Sequence, residues 1–212
     1  MRPLRIALTK GRLEKDCIGL FENVGLDCSG LRDKGRKLVF PLSDNVEVVL
    51  AKAADVVTYV ENGVCDLGVV GKDTILEMGT TVYEILDLGF GRCRFAVAGK
   101  KDTDVFDGYG TKVIATKYPY VTRRFFEGLG MDVNVIKIEG SVELAPLLGL
   151  SDAIVDIVET GSTLRENGLE VKREVCGISA RLICNIASLK LRQSEIEILV
   201  SAFEKQLEGD QI

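Results

Sequence analysis

An apolar run rich in β-branched residues, Ala153–Val158, passes directly into a loop of small polar residues. A run of this length, bounded by turn-forming residues, predicts a buried strand of a parallel sheet. The loop, Glu159-Thr-Gly-Ser-Thr163, leads into a short helical segment that ends at Gly168. A strand that passes through a glycine loop into a helix is the repeating unit of α/β folds, so this stretch predicts the fold class of the chain.

The composition of the loop favours a phosphate site. Gly161 permits a tight turn and a close approach, while the Ser162 and Thr163 hydroxyls and the N–H groups of a helix start can hold phosphate oxygens. Two carboxylates, Asp156 and Glu159, flank the loop, and they suit two ribose hydroxyls or a bridging Mg²⁺ because they would repel the phosphate itself. We interpret the loop as a site for ribose 5-phosphate. A plain strand-to-helix turn with a capped helix accounts equally well for the short motif alone.

Composition excludes several other classes of protein. The net charge of −5 argues against a nucleic-acid partner, which would require a basic face. The sequence offers no stretch long enough to span a membrane and no signal peptide, so we expect a cytoplasmic protein without a membrane partner. Six cysteines without a Cys-x-x-Cys pair are expected to be core residues rather than metal ligands, and the absence of histidine excludes an imidazole base or a His-ligated zinc.

The two halves of the chain carry the same order of predicted elements, which indicates a diverged duplication. The matched segments are Ala7–Lys10 with Ile114–Lys117, Val46–Ala51 with Val133–Ile138, and Asp66 with Asp152. Each half would form a small α/β sheet that binds ligands at the carboxyl ends of its strands.

These patterns predict two lobes. Residues 1–93 and 181–212 would form lobe I, and residues 94–180 would form lobe II, which carries the phosphate loop. A return strand within Ile178–Asn185 would lead back to lobe I, where a last helix, capped by Ser194, would pack.

A longer motif contains the loop. This motif consists of Glu139-Gly-Ser-Val-Glu-Leu-Ala-Pro146, followed by Gly149, Asp152, Asp156, Thr160-Gly161 and Thr163-Leu164. It resembles the signature of the ATP phosphoribosyltransferases, which catalyse the first step of histidine biosynthesis. The resemblance extends to Lys10-Gly-Arg-Leu13, Asp66–Gly71 and Ala115–Pro119, and so covers essentially the whole chain.

The resemblance implies a two-lobed α/β fold similar to type II periplasmic solute-binding proteins, with the active site in the cleft between the lobes. It implies attack by N1 of ATP on C1 of phosphoribosyl pyrophosphate, with release of pyrophosphate and a requirement for Mg²⁺ that arrives with the substrate. Adenine N1 carries a lone pair and no proton, so this attack needs no strong base. Positioning and electrostatics must therefore dominate catalysis.

The resemblance also assigns roles to residues. Thr160, Gly161, Ser162 and Thr163 would hold the 5-phosphate, and Asp156 with Glu159 would contact the ribose or stabilise its oxocarbenium-like state. Lys10 and Arg12 would meet the pyrophosphate and act with these carboxylates in catalysis. Contacts to ATP are expected from Lys10 and Arg12 and, because of their positions at strand ends or on the crossing between the lobes, from Lys52, Asp55, Gly71, Asp73 and Arg92. For Arg92 a surface salt bridge accounts equally well for the pattern. No residue is predicted to bind metal directly.

The chain is similar to the short form of the family, which lacks the C-terminal regulatory domain of longer members. Short-form members are associated with a separate regulatory subunit that resembles histidyl-tRNA synthetase. We therefore expect a homodimer that assembles with such a partner into a hetero-oligomer.

Two alternatives remain at this point. A solute-binding module could close two lobes on an anion without catalysis. A phosphoribosyltransferase of the nucleotide-salvage type has a similar loop in a different chain order. Neither alternative accounts for Lys10–Leu13 together with the signature at residues 139–164, and the second substrate consumed, ATP or a free base, would separate them.

Overall fold

The computed structural model describes residues 2–108 and 110–209. Its first half contains β1 (Leu4–Thr9), α1 (Arg12–Asn23), α2 (Ser29–Arg32), β2 (Val39–Ser43), β3 (Val46–Ala51), α3 (Ala53–Glu61), β4 (Leu67–Gly71), α4 (Lys72–Met78), β5 (Tyr83–Asp87) and β6 (Cys93–Lys100). The second half contains β7 (Lys112–Thr116), α5 (Pro119–Gly128), β8 (Val133–Lys137), α6 (Leu144–Leu147), β9 (Ala153–Val158), α7 (Ser162–Glu166), β10 (Leu169–Ile178), β11 (Ala180–Cys184), α8 (Ile186–Leu191) and α9 (Gln193–Gly209).

The chain divides into two compact units. Unit 1 comprises the residues up to Gly91 and those from Ser179 onward, and unit 2 comprises Arg92–Ile178. The sequence predicted the crossings two residues later, at 93/94 and 180/181. The difference arises because β6 and β10 pair with each other along their whole length, so Cys93 and Ile178 belong to the sheet of unit 2.

Unit 1 is built on a six-stranded sheet of order β2-β3-β1-β4-β11-β5. The central strand β1 is parallel to both β3 and β4, while β2 pairs antiparallel with β3 as a hairpin. The carboxyl ends of β1, β3 and β4 therefore meet at one edge, since Thr9 pairs with Ala51 and Leu8 with Val69. That edge carries the residues that follow these strands.

Unit 2 is built on a five-stranded sheet of order β10-β6-β9-β7-β8. The strand β9 was predicted to be a buried parallel strand; it is parallel to β7 but antiparallel to β6. The antiparallel neighbour, β6, is the strand by which the chain enters unit 2. It runs in the direction opposite to β7, β8 and β9, which are connected by helices. The residues after β7, β8 and β9 share one edge, because Thr116 pairs with both Lys137 and Val155.

The predicted repeat is confirmed by the strand order. Unit 1 contains the order β3-β1-β4-β11-β5 and unit 2 the order β8-β7-β9-β6-β10, with the same strand directions. Side chains repeat as well. The Asp66 carboxylate accepts a hydrogen bond from the Arg5 N–H (2.9 Å), and the Asp152 carboxylate accepts one from the Val113 N–H (2.7 Å).

The last helix packs on unit 1, as predicted. Ile196, Leu199 and Phe203 of α9 are buried in the main core of the unit, and the Phe203 ring stacks on Phe21 of α1 at a centroid distance of 5.6 Å. The predicted cap is wrong, because α9 begins at Gln193 and includes Ser194. A separate helix, α8, precedes it and is capped by the Asn185 side chain, which accepts from two backbone N–H groups.

Four of the cysteines, Cys17, Cys28, Cys65 and Cys184, are buried, while Cys93 and Cys176 are half-buried, and all six are free thiols. Burial raises the pKa of Cys65 and of Cys184 to about 11, so these thiols are neutral at physiological pH. Among the described residues, no helix is long and apolar enough to cross a membrane, and no cluster of acidic or sulfur side chains is arranged to hold a metal ion.

A buried carboxylate ties the ends of unit 1 together. Asp66 accepts hydrogen bonds from the Arg2 guanidinium (2.6 and 3.0 Å), from Arg192 (3.0 Å) and from the Ser188 hydroxyl (2.7 Å). Burial alone would raise the pKa of Asp66, but the hydrogen bonds from Arg2, the Arg5 N–H and Ser188 together lower it below its ordinary value. The carboxylate is therefore ionised and joins the start of the chain to α8 and α9.

The Ser188 hydrogen bond predicts a measurable contribution to stability. Replacing Ser188 with alanine should lower the free energy of unfolding by about 2 kcal/mol, because a hydrogen bond to a buried charged group is lost. Urea unfolding of both proteins measures the change, with Ser194→Ala on the exposed part of α9 as the control. A loss for Ser188→Ala no larger than that of the control would contradict the role given to Asp66.

Candidate active site

The predicted phosphate loop leaves β9 at the carboxyl edge of the unit 2 sheet. Gly161, the residue before α7, has φ of 73°, in the left-handed region that favours glycine. A Cβ at this position would lie 3.3 Å from Arg165 Nη1 and 3.6 Å from Val158 Cγ1. The turn therefore requires the conformational freedom of glycine, while a Cβ would require only a small shift of the Arg165 side chain.

Hydrogen bonds within the loop fix its shape. The Thr160 and Ser162 hydroxyls lie 3.1 Å apart, and the Ser162 N–H donates to Thr160 Oγ1 (3.4 Å). Arg165, one turn into α7, reaches back to donate from Nη1 to the Thr160 carbonyl oxygen (3.0 Å). Thr160, Ser162 and Thr163 are exposed, so their hydroxyls are accessible to a ligand, and the first N–H groups of α7 have no partner within the helix.

Asp156 lies near the end of β9, three residues before Glu159, and its environment is less polar than that of the loop. It shares a face of β9 with Ile154 and Val158, which pack in the core of unit 2 against α6 and α7. Burial raises the pKa of the Asp156 carboxyl, and the nearby Glu143 raises it further, while the Ile157 N–H and Lys117 act in the opposite direction. A carboxylate with a raised pKa beside an exposed polar loop is a feature typical of functional sites.

Other charged side chains share this edge of unit 2. Lys117 follows β7 and is exposed, as is Glu159 at the start of the loop. Arg94 on β6 pairs with Val158 in the sheet, so the start of β6 lies beside the end of β9. Arg92, which the sequence analysis assigned to ATP, lies just before β6 and is therefore at the same edge of unit 2. Arg94 forms an ion pair with Glu174 (3.5 Å), as its surface position allows.

The remaining predicted residues lie on unit 1. Lys10 and Gly11 follow β1, and Arg12 opens α1. Gly11 has φ of 103°, and its N–H donates to the side chain of Glu14 (3.2 Å), a buried carboxylate that also pairs with Lys34. These contacts fix the turn between β1 and α1, leaving the Lys10 and Arg12 side chains exposed.

The ends of β3 and β4 bring further predicted residues to the same edge. Lys52 follows β3 as the residue before α3, and Asp55 lies in the first turn of that helix. The helix α4 begins at Lys72, directly after β4. Asp73 folds back so closely that a Cβ on Gly71 would lie 2.0 Å from its Oδ1, so a side chain at this position would require the Asp73 carboxylate to rotate away.

The structure thus gathers the predicted residues into two groups at the carboxyl edges of the two sheets. The group on unit 1 contains Lys10, Arg12, Lys52, Asp55, Gly71 and Asp73. The group on unit 2 contains Arg92, Asp156, Glu159, Thr160, Gly161, Ser162 and Thr163.

Sequence reasoning missed two residues of the unit 2 group. Arg165 was not singled out, although a basic residue shortly after a small-residue loop is a signal worth testing for a contact back to that loop. Glu143 belongs to the quoted signature, but its proximity to Asp156 depends on the packing of α6 against β9. Spacing along the chain contains no sign of that contact.

Fold and loop together define the class: a two-unit α/β protein with the sheet pattern of solute-binding proteins and a loop suited to a phosphorylated ribose. The structure is similar to the periplasmic aliphatic sulphonate binding protein SsuA from Escherichia coli, with a TM-score of 0.60 and 12% identity over 98% of this chain and 73% of that one. At this identity the likeness shows the fold alone.

A closer likeness is to the ATP phosphoribosyl transferase (HisG:HisZ) complex from Thermotoga maritima, with a TM-score of 0.84 and 32% identity over 97% of this chain and 99% of that one. The family model for HisG, ATP phosphoribosyltransferase, matches residues 52–205. The ATP phosphoribosyltransferases of Clostridium kluyveri and Bacillus mycoides are 57% and 56% identical over 97% and 98% of this chain, and over 94% and 98% of their own lengths.

The chain belongs to the ATP phosphoribosyltransferase family. It transfers the phosphoribosyl group from phosphoribosyl pyrophosphate to N1 of ATP, the first step of histidine biosynthesis. The two alternatives, a binding module without catalysis and a nucleotide-salvage transferase, are thereby set aside.

Proposed function

We propose that the unit 2 group, apart from Arg92, binds phosphoribosyl pyrophosphate and that Arg92 and the unit 1 group bind ATP and the leaving pyrophosphate. The observation that carries the proposal is the Gly161 loop, whose left-handed turn presents the Thr160, Ser162 and Thr163 hydroxyls beside a carboxylate of raised pKa. In this arrangement the loop holds the 5-phosphate, and Asp156 and Glu159 face the ribose.

Catalysis in this proposal is electrostatic. As the bond from C1 to pyrophosphate breaks, positive charge develops on the ribose and negative charge on the leaving group. Asp156 and Glu159 stabilise the first, and Lys10 with Arg12 stabilise the second. Lys52, Asp55, Gly71, Asp73 and Arg92 are proposed to position the nucleotide so that its N1 lone pair faces C1.

We propose that Mg²⁺ enters with phosphoribosyl pyrophosphate rather than at a site of its own. The carboxylates nearest the loop, Asp156 and Glu159, are suited to meet a metal already bound by phosphate oxygens. When bound with the substrate, the ion would supply positive charge to the pyrophosphate oxygens.

Assembly with a regulatory subunit is likewise a proposal. The similar structure from Thermotoga maritima is a HisG:HisZ complex, which supports a partner of that kind for this chain. We expect a homodimer that joins a subunit resembling histidyl-tRNA synthetase, and turnover requires the assembled complex if the chain alone does not organise the site. A binding assay on the chain therefore precedes any assay of turnover.

A thermal shift with Mg²⁺ and phosphoribosyl pyrophosphate tests the substrate site without the partner. At a hundredfold excess over its dissociation constant, the ligand should add about 2.7 kcal/mol, which raises the melting temperature by roughly 5–10 °C in a chain of this size. Mg²⁺ with inorganic phosphate is the control. No shift, either for the chain alone or for the chain with its partner, would contradict the proposed substrate site.

Arg165 provides a finer test of the loop. Replacing Arg165 with glutamine should weaken phosphoribosyl pyrophosphate binding roughly tenfold, because the loop loses a charge-assisted hydrogen bond to the Thr160 carbonyl. Arg123→Gln, on the exposed face of α5, is the matched control and should leave the affinity unchanged. Titration calorimetry compares the two variants, and equal affinities would remove Arg165 from the site.

A further inference from the structure

A cavity of about 540 Å³ lies in unit 2 at the sheet edge opposite the phosphate loop. Lys100 at the end of β6, Lys112 at the start of β7 and Asp152 just before β9 contribute to its wall. Because β9 separates Asp152 from Glu159 by about 20 Å of extended chain, this cavity is distinct from the proposed substrate site. Its volume is within the range of small-molecule pockets.

The internal repeat shows how unit 1 completes the equivalent position. Asp66 corresponds to Asp152, since each precedes the third parallel strand and accepts from the N–H of the second residue of the first strand. In unit 1, the segments before β1 and after β11 supply Arg2, Ser188 and Arg192, all of which donate to Asp66. Two guanidinium groups and a hydroxyl thus satisfy that carboxylate.

Among the described residues, unit 2 provides no such complement. Within the described part of the chain, the Asp152 carboxylate has one hydrogen-bond partner, the Val113 N–H, and the residue is exposed. The corresponding segment after β6 supplies Thr103 and Asp104 to the cavity wall instead of a cation directed at Asp152. One carboxylate oxygen therefore remains available to a cationic group from outside unit 2.

The cavity wall also contains positive charge, from the ammonium groups of Lys100 and Lys112. Neither Lys100 nor Lys112 forms an ion pair with the residues that the structure describes. Ser151, which also lines the cavity, has a buried hydroxyl oxygen without a hydrogen-bond partner among the described residues. The wall thus presents two ammonium groups and two carboxylates, Asp152 and Asp104, and the Asp104 carboxylate accepts from the Phe106 N–H.

We propose that this cavity binds a small zwitterion of the α-amino acid class, with its carboxylate on Lys100 and Lys112 and its ammonium group on Asp152. A simple anion such as phosphate satisfies the lysines but is repelled by Asp104 and Asp152, whereas a zwitterion matches both signs of charge. The ammonium group takes the place that the Arg2 and Arg192 guanidinium groups occupy on Asp66 in unit 1.

Titration calorimetry of the full chain with each common L-amino acid, and with inorganic phosphate for comparison, tests the proposal. At least one amino acid should bind at millimolar concentration or below, and phosphate should not. Lys112→Gln and Asp152→Asn should each weaken that binding roughly tenfold, because each removes one charge-assisted contact. Asparagine retains an oxygen that accepts from the Val113 N–H, so the fold should persist.

Two controls locate the binding. Lys101→Gln removes an exposed lysine next to the cavity but outside its wall, and Gly161→Asp alters the phosphate loop; both should leave the amino-acid affinity unchanged. The proposal is overturned if no amino acid binds, if phosphate binds as tightly as the best amino acid, or if Lys112→Gln and Asp152→Asn both bind like Lys101→Gln. Because the assay contains no phosphoribosyl pyrophosphate, its outcome is independent of the substrate site.

Discussion

Replacing Gly161 with aspartate should abolish binding of phosphoribosyl pyrophosphate while leaving unit 2 folded. The new carboxylate would extend from a Cβ only 3.3 Å from Arg165 Nη1, so it would pair with Arg165 and draw it from the Thr160 carbonyl. It would also place a negative charge where the 5-phosphate is proposed to lie. Loss of two charge-assisted hydrogen bonds corresponds to about 3 kcal/mol, or at least about 100-fold in affinity.

Gly168→Asp is a matched control for this substitution. Gly168 has φ of 68°, close to the value at Gly161, and lies just beyond the other end of α7 with open space around its Cα. Both variants therefore bear the same cost of about 1–2 kcal/mol for a left-handed residue with a side chain. Calorimetric titration with Mg²⁺ and phosphoribosyl pyrophosphate should show binding to Gly168→Asp and none to Gly161→Asp. Normal binding by Gly161→Asp would refute the phosphate assignment.

Replacing Asp156 with asparagine should lower turnover about 100- to 1000-fold, the cost of removing one preorganised electrostatic contact to the transition state. The amide has nearly the same shape, so substrate affinity should change much less than kcat. The measurement is steady-state kinetics with the assembled complex if the chain requires its partner. An equal loss in kcat and in affinity would mean that Asp156 only binds the ribose diol.

The raised pKa of Asp156 adds a pH dependence to this prediction. The proposed role requires the ionised carboxylate, which is present above the raised pKa and is lost as the pH falls through it. Turnover of the natural protein should therefore decrease on the acid side at a higher pH than an ordinary aspartate would produce. Asp156→Asn should lose that decrease, whereas Glu170→Gln, at an exposed position on β10, should retain it.

The part of the site that could be predicted from sequence is the part whose structure is set locally. The apolar run Ala153–Val158 forms β9 with the predicted bounds, since its residues are buried on both faces of the sheet. Gly161 occupies a left-handed turn there because the chain must reverse direction within a few residues to start α7. Strand, loop and helix start each follow from their own residues.

Elements at the sheet edges were missed for a physical reason. The strand β10 contains four charged residues and is exposed along much of its length, so its composition resembles a polar connection. It is a strand because it pairs with β6 over eight residue pairs, a tertiary contact. The edge strand β5 was missed in the same way, since its pairing with β11 joins segments far apart in the chain.

Pro119 is a local signal for a helix start. It is the first residue of α5. Proline is favoured there because its ring presets φ and its missing N–H has no partner at a helix start. The surroundings of Asp156 could not be predicted locally, because Lys117 and Glu143 reach it from two other elements.

Hydrogen–deuterium exchange of the loop amides tests the central claim most directly. Exchange at residues 159–164 is compared in the presence and absence of Mg²⁺ and phosphoribosyl pyrophosphate. The account predicts strong protection of these amides when the substrate binds, because the first N–H groups of α7 would donate to the 5-phosphate. Binding that protects other parts of the chain and leaves residues 159–164 unchanged would contradict it.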